Sequence, residues 1–407
     1  MFHALHWLIV ALYIAAPLAA ILIAFARTRA DDLRPMGRLF FTIFVGTLLG
    51  TTGAVVYALS LGARAGIGQI FLTIYFATAV LLSLRGFDFL IRRTLRPIFL
   101  SNRSETSQHH FGFILLNLVR LILLIAVGLP YIISAAVVYR PSVWRNRDSL
   151  NQARFVPIEF KSSDGLALRG RWIPASSPNR NTLLICHGAG LGWSNQLSLA
   201  ARLAPEGYNL MVFDFRADGQ SDGHFTSFGD LERRDVLAAV QWLDQTHPRE
   251  SRRIVGIGFS TGAAALIAAA ADPSPQGQSI QAIVACGTYD DLTLLARDIA
   301  HRSFLPPMDW LAPRIGLPLA SLQVGANLND FKPAQLVRQI WPRPILIVHA
   351  MHDRFIPFEC GERLFDAAVF PKAHLWLGGD SYNQAIDEDA ADTIREFFET
   401  ARSIPVI

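Results

Sequence analysis

The chain has 407 residues, 51% apolar and only 17% charged, with a formal net charge of +4. This is richer in apolar side chains than an ordinary soluble domain and far from the composition of a disordered chain. Of 37 basic side chains only three are lysines (Lys161, Lys332, Lys372), and no basic stripe is interleaved with aromatics, so nucleic acid is not an expected partner.

The apolar excess lies before residue 140. Four stretches there are long enough to cross about 30 Å of hydrocarbon as helices: residues 5–26, 39–61, 67–84 and 111–139. Region 1–140 is therefore expected to be a four-helix transmembrane anchor, with membrane lipids as its partners. Nine arginines (Arg27, Arg29, Arg34, Arg38, Arg85, Arg92, Arg93, Arg96, Arg103) fall in the two loops on one side. Five (Arg64, Arg140, Arg145, Arg147, Arg154) fall on the other. Positive-inside placement puts the nine-arginine loops in the cytoplasm and the chain after residue 150 on the non-cytoplasmic side. Residues 141–151, polar with Trp144 among arginines, read as a linker.

From residue 152 to 407 the pattern alternates short apolar runs with amphipathic ones, the sign of a mostly parallel sheet covered by helices. Strands are expected at 154–160, 166–173, 182–186, 209–213, 254–259, 280–285, 344–348 and 374–377. Helices are expected at 228–245, 361–369 and 385–398. Residues 293–335, rich in proline, tryptophan and leucine, interrupt the alternation as a cap insert. The cysteines Cys186, Cys286 and Cys360 have no C-x-x-C spacing, and no metal or cofactor motif occurs. No metal and no cofactor are expected.

One stretch carries chemistry. The apolar run ending at Phe259 is followed by Ser260, with Gly258 and Gly262 two residues to either side, and then by an alanine-rich run. Strand, sharp turn and small-residue helix are the setting of a G-x-S-x-G nucleophile elbow. Three further motifs stand in order around it. His187-Gly188-Ala189-Gly190 follows a strand. Asp214 to Gly223 reads D-F-R-A-D-G-Q-S-D-G. His349 to Pro357 reads H-A-M-H-D-R-F-I-P.

Together these motifs resemble the α/β-hydrolase superfamily, in particular its membrane-anchored serine hydrolases near the monoglyceride-lipase and serine-aminopeptidase-like groups. The resemblance implies an eight-stranded, mostly parallel sheet with helices on both faces. It also implies acyl transfer: Ser260 attacks a carbonyl, and the backbone N–H groups of Thr261 and Ala189 hold the oxyanion. Asp353 is then the acid of the triad, and His187 is expected to bond loop backbone.

The sequence departs from the family pattern where the triad histidine belongs. Gly379-Asp380-Ser381-Tyr382-Asn383 places Tyr382 in that slot, and no histidine follows His374. A tyrosine, with a reference pKa near 10, is poorly matched to take a proton at neutral pH. His224 and His301 are the candidate substitutes. Two functions follow: a membrane-anchored serine hydrolase of acyl or lipid-like substrates with an irregular base, or a pseudohydrolase that binds a ligand and turns over little.

Overall fold

The computed structural model describes residues 155–176, 180–189, 207–303, 308–381 and 386–402, with isolated positions before 155 and at 197, 202 and 203. The chain divides into two compact units, Met1–Ala135 and Ala136–Ile407. Apart from isolated positions, the four expected spans lie outside the described residues. Among the described residues no helix is long and apolar enough to cross a membrane.

In the second unit, eight strands form one sheet. In chain order they are β1 (Val156–Lys161), β2 (Ala167–Ile173), β3 (Asn181–Cys186), β4 (Asn209–Phe213), β5 (Arg253–Phe259), β6 (Ile280–Cys286), β7 (Ile345–Ala350) and β8 (Lys372–Leu377). Their spatial order is β1-β2-β4-β3-β5-β6-β7-β8. β1, β2 and β4 pair antiparallel; from β4 through β3 to β8 every pairing is parallel. β3, β4 and β7 are buried along their whole length. A parallel strand covered on both faces has no need of polar alternation, so it reads as a continuous apolar run.

Both faces are covered. On one, Leu184 and Met211 pack with Val236 and Ala239 of α1 (Glu232–Thr246), Leu266 of α2 (Thr261–Ala270) and Leu364 of α7 (Phe358–Ala367). On the other, Leu183 and Ile257 pack with Ala391, Ile394 and Phe398 of α8 (Glu388–Arg402). This is the α/β-hydrolase fold. Between α2 and β6 lies the short α3 (Pro275–Gln278). The expected cap insert contains α4 (Leu292–Ser303), α5 (Met308–Val324), a 3₁₀ turn at Leu328–Asp330 and α6 (Pro333–Leu336).

The helix expected from residue 228 begins instead at Glu232. The buried Glu232 carboxylate accepts hydrogen bonds from Thr226 Oγ1 (2.9 Å), from the N–H groups of Ser227 (2.9 Å) and Gly229 (2.8 Å), and from Ser227 Oγ. These bonds hold residues 226–229 as a loop, with Phe228 at φ 58°. Periodicity alone does not register such a side-chain cage. α7 likewise starts at Phe358, three residues before the expected boundary, directly after Pro357. Pro357 is the cap residue, with φ −52° and an extended ψ of 141°, so the helix starts one residue after it.

The two leading motif histidines are built into this frame. The Phe215 N–H donates to His187 Nε2 (3.0 Å), which leaves Nδ1 to carry the proton and donate to Gly188 O (2.8 Å). His349, on β7, donates from Nε2 to Ile356 O (3.1 Å), and its Nδ1 is buried against Gly361 without a partner. Burial pushes the His349 pKa down, outweighing the raising effects of that bond and of Asp353 and Glu359. The folded protein therefore resists a proton that the unfolded chain takes up below about pH 6.5. Stability from this group is present above that pH and is lost as pH falls toward the lower folded value. Urea unfolding at pH 7 and pH 5 should show a smaller loss in His349→Gln than in the wild type; an equal loss in both removes His349 as the cause.

Candidate active site

Ser260 sits between β5 and α2 with φ 53° and ψ −122°. A side chain other than glycine rarely adopts positive φ, and here the strain is held by the surroundings. The Ser260 N–H donates to Cys286 O on the neighbouring strand (2.8 Å), and Ser260 O receives the N–H groups of Ala263 and Ala264. The flanking glycines are required by contact. A Cβ on Gly258 would stand 2.5 Å from Ala263 Cα, and one on Gly262 would stand 2.2 Å from His187 O. The turn is thus pressed against the loop that carries His187 and Gly188.

Gly262→Ala should therefore destabilise the fold by about 1–3 kcal/mol, because backbone rather than a flexible side chain must yield. Chemical denaturation measures it. A midpoint shift below that range would mean that the two loops can separate freely.

Ser260 lines a cavity of about 370 Å³ together with Thr261 and Ala189. Among the described residues neither the Thr261 nor the Ala189 backbone N–H has a hydrogen-bond acceptor. Phe228, Tyr289, Leu295 and Ile299 supply apolar wall, and Arg302 and Arg354 reach the same space. Tyr289, fully buried, donates its hydroxyl to Phe228 O. Burial, helped by the charges of Glu232 and Asp230, raises its pKa well above that of a free phenol, so it remains a neutral donor. These wall residues were not singled out in the sequence. Tyr289 carried one usable signal, its place just past the C-terminal end of a parallel strand, where ligands of such sheets bind.

Asp353 follows β7 in a tight turn. Its Oδ1 accepts the N–H groups of Phe355 (2.8 Å) and Ile356 (3.0 Å). It lines a second cavity, of about 600 Å³, with Asp298, His301, Arg302 and Arg363. The loop after β8 is tied to this turn: the His352 N–H donates to Gly379 O, the Arg354 N–H to Asp380 O, and the Arg354 guanidinium pairs with Asp380. Tyr382 lies outside the described residues, two positions beyond Asp380.

The two candidate substitute bases are placed as follows. His224 is exposed and stacks on Tyr139, with ring centroids 6.4 Å apart. His301, on α4, is exposed, and its Nδ1 bonds Asp309 (2.9 Å). Neither lines the Ser260 cavity; His301 opens onto the cavity of Asp353. The three cysteines are free and buried, and burial pushes the Cys360 thiol up to about 12. Among the described residues no cluster of histidine, cysteine and carboxylate side chains forms a metal site.

The sequence profile of the X-Pro dipeptidyl-peptidase (S15) family matches residues 133–300. The chain is 29% identical to the uncharacterized protein YqkD of Bacillus subtilis over 56% of this chain and 72% of that one. It is 25% identical to the uncharacterized protein YfhR of Escherichia coli O157:H7 over 59% of this chain and 77% of that one. Among solved structures it is similar to the Pyrococcus furiosus esterase Pf2001, at 22% identity and a TM-score of 0.50, over 63% of this chain and 98% of the esterase. That likeness is one of fold.

Proposed function

We propose that this protein is a serine hydrolase of acyl ester, thioester or lipid-like substrates, with Ser260 as nucleophile, and that residues 1–140 anchor it in a membrane. The observation that carries the reading is the strained backbone of Ser260 at the floor of a cavity shared with Thr261 and Ala189. Strain of this kind at a strand-to-helix turn exposes Oγ to a bound carbonyl. The N–H groups of Thr261 and Ala189 supply the donors for the tetrahedral oxyanion. Attack by Ser260 Oγ forms the acyl-enzyme and expels the alcohol or thiol; water then releases the acid. Asp353 orients the group in the slot of residue 382, an assignment supported by the bonds that tie the loop after β8 to the Asp353 turn. The membrane assignment is supported by the four apolar stretches and their arginine-rich loops. The arginine distribution supports a non-cytoplasmic position for the chain after residue 150.

A second reading, a pseudohydrolase that binds without turnover, is favoured by Tyr382 in the histidine slot. It is also favoured by the location of His224 and His301 outside the Ser260 cavity. Treatment of membranes containing the full chain with a fluorophosphonate probe separates the two. Wild-type labelling supports the hydrolase. Labelling that appears only in Tyr382→His makes the pseudohydrolase the correct reading.

A further inference from the structure

The Ser260 cavity has an uneven charge. Two arginines, Arg302 and Arg354, line it, and no carboxylate among the described residues does. The nearby acids Asp298, Asp353 and Glu359 line the second cavity, and Arg302, which is solvent-exposed, borders both cavities. Arg354 is paired with Asp380. Arg302 is different. Its Nε donates to Asp298 O (3.2 Å), Nη1 to Arg354 O (3.3 Å) and Nη2 to Phe355 O (3.3 Å). All three acceptors are backbone carbonyls. They orient the guanidinium but carry no net charge to offset it, and of the five N–H groups of an arginine two are left over. Among the described residues Arg302 forms no ion pair. Away from Ser260 and Thr261, Phe228, Leu295, Ile299 and Phe355 make much of the wall apolar. A guanidinium anchored on carbonyls at the edge of an apolar pocket suits an amphiphile with one anionic group, since a carboxylate or phosphate accepts the charge-assisted pair of bonds that a neutral chain cannot.

We propose that Arg302 selects substrates whose apolar chain carries an anionic group, a carboxylate or a phosphate, beside the bond presented to Ser260. This rests on the hydrolase reading for the word substrate; the binding preference itself does not. The cap helix α4 carries Arg302, and the Asp353 turn supplies two of its three carbonyls. Anion capture is thereby coupled to the contact between cap and turn.

Titration calorimetry with the full-length Ser260→Ala protein tests it, using hexanoate, hexyl phosphate and hexanol as probes. At least one anion is expected to bind tenfold or more tightly than hexanol, and the tighter of the two identifies the head group. Arg302→Met should remove that advantage, and Arg302→Lys, which keeps the charge, should retain most of it. Thermal unfolding of both variants shows whether the loss follows the charge or the fold. Equal binding of all three probes, binding of none, or an anion preference that survives Arg302→Met overturns the proposal. Turnover of p-nitrophenyl hexanoate by the wild type is scored separately. Ser260-dependent turnover without charge preference sinks this inference and leaves the hydrolase. Charge preference without turnover does the reverse.

Discussion

Ser260→Ala is expected to abolish fluorophosphonate labelling and to lower ester hydrolysis by at least about 10³-fold, or about 4 kcal/mol of transition-state stabilisation. The size follows from the role proposed for Ser260. Covalent catalysis ends with the loss of Oγ, and only the oxyanion donors and the pocket remain to act on a bound ester. Stability should change little. Ser260 is only partly buried, no described hydrogen bond uses its side chain, and alanine meets the same φ of 53° with the same strain. Activity per folded molecule, normalised to the far-UV signal, measures the effect. Hydrolysis undiminished in the variant would show that another group is the nucleophile and that the elbow serves only the fold.

Asp235→Ala is expected to cost about 3–5 kcal/mol of folding stability, read as a shift in the urea midpoint. Asp235 is fully buried on α1 and receives Arg216 through its backbone N–H (3.0 Å), its Nε (3.0 Å) and its Nη2 (2.6 Å). Burial opposes the charge on Arg216, and the Asp235 carboxylate more than offsets it, so the Arg216 pKa is raised. Removing Asp235 leaves that guanidinium buried with the Asp164 and Ser162 hydrogen bonds and the weaker charge of Glu232. Asp164→Ala should cost less than Asp235→Ala, because Asp164 is 30% exposed and water can take its place. Equal losses would mean that burial is not what makes the pair strong. The damage should also reach the site. Phe215, next to Arg216, holds His187 Nε2, and His187 O is the atom against which Gly262 is packed.

The motifs differ in how far they could be read from the chain alone. The elbow is a local object. Its strand, its strained serine and its two glycines lie within a dozen residues, and the steric demand on Gly258 comes from Ala263, five residues away. The central strands β3, β4 and β7 were legible for a similar reason: a run buried on both faces is apolar, whatever its neighbours. Helix starts were less legible. Nothing in the period of residues 228–245 announces that Glu232 will turn back to collect donors from Thr226, Ser227 and Gly229.

By itself the sequence determined the strand order along the chain, the tight serine turn between β5 and α2, the turn after β7 that holds Asp353, and that Tyr382 stands where the resemblance expects a histidine. Each of these is a matter of residue types at short spacing. Only the tertiary structure decided what surrounds Ser260. Phe228, Tyr289, Arg302 and Phe355 come from three separate connections, β4–β5, β6–β7 and β7–β8, and they meet because the parallel strands end at one edge of the sheet. It also decided that His301 bonds Asp309 and opens onto the cavity of Asp353 rather than that of Ser260. Side-chain neighbours across such distances are set by how helices pack on the sheet. That packing depends on the whole core at once, and no short stretch of the chain encodes it.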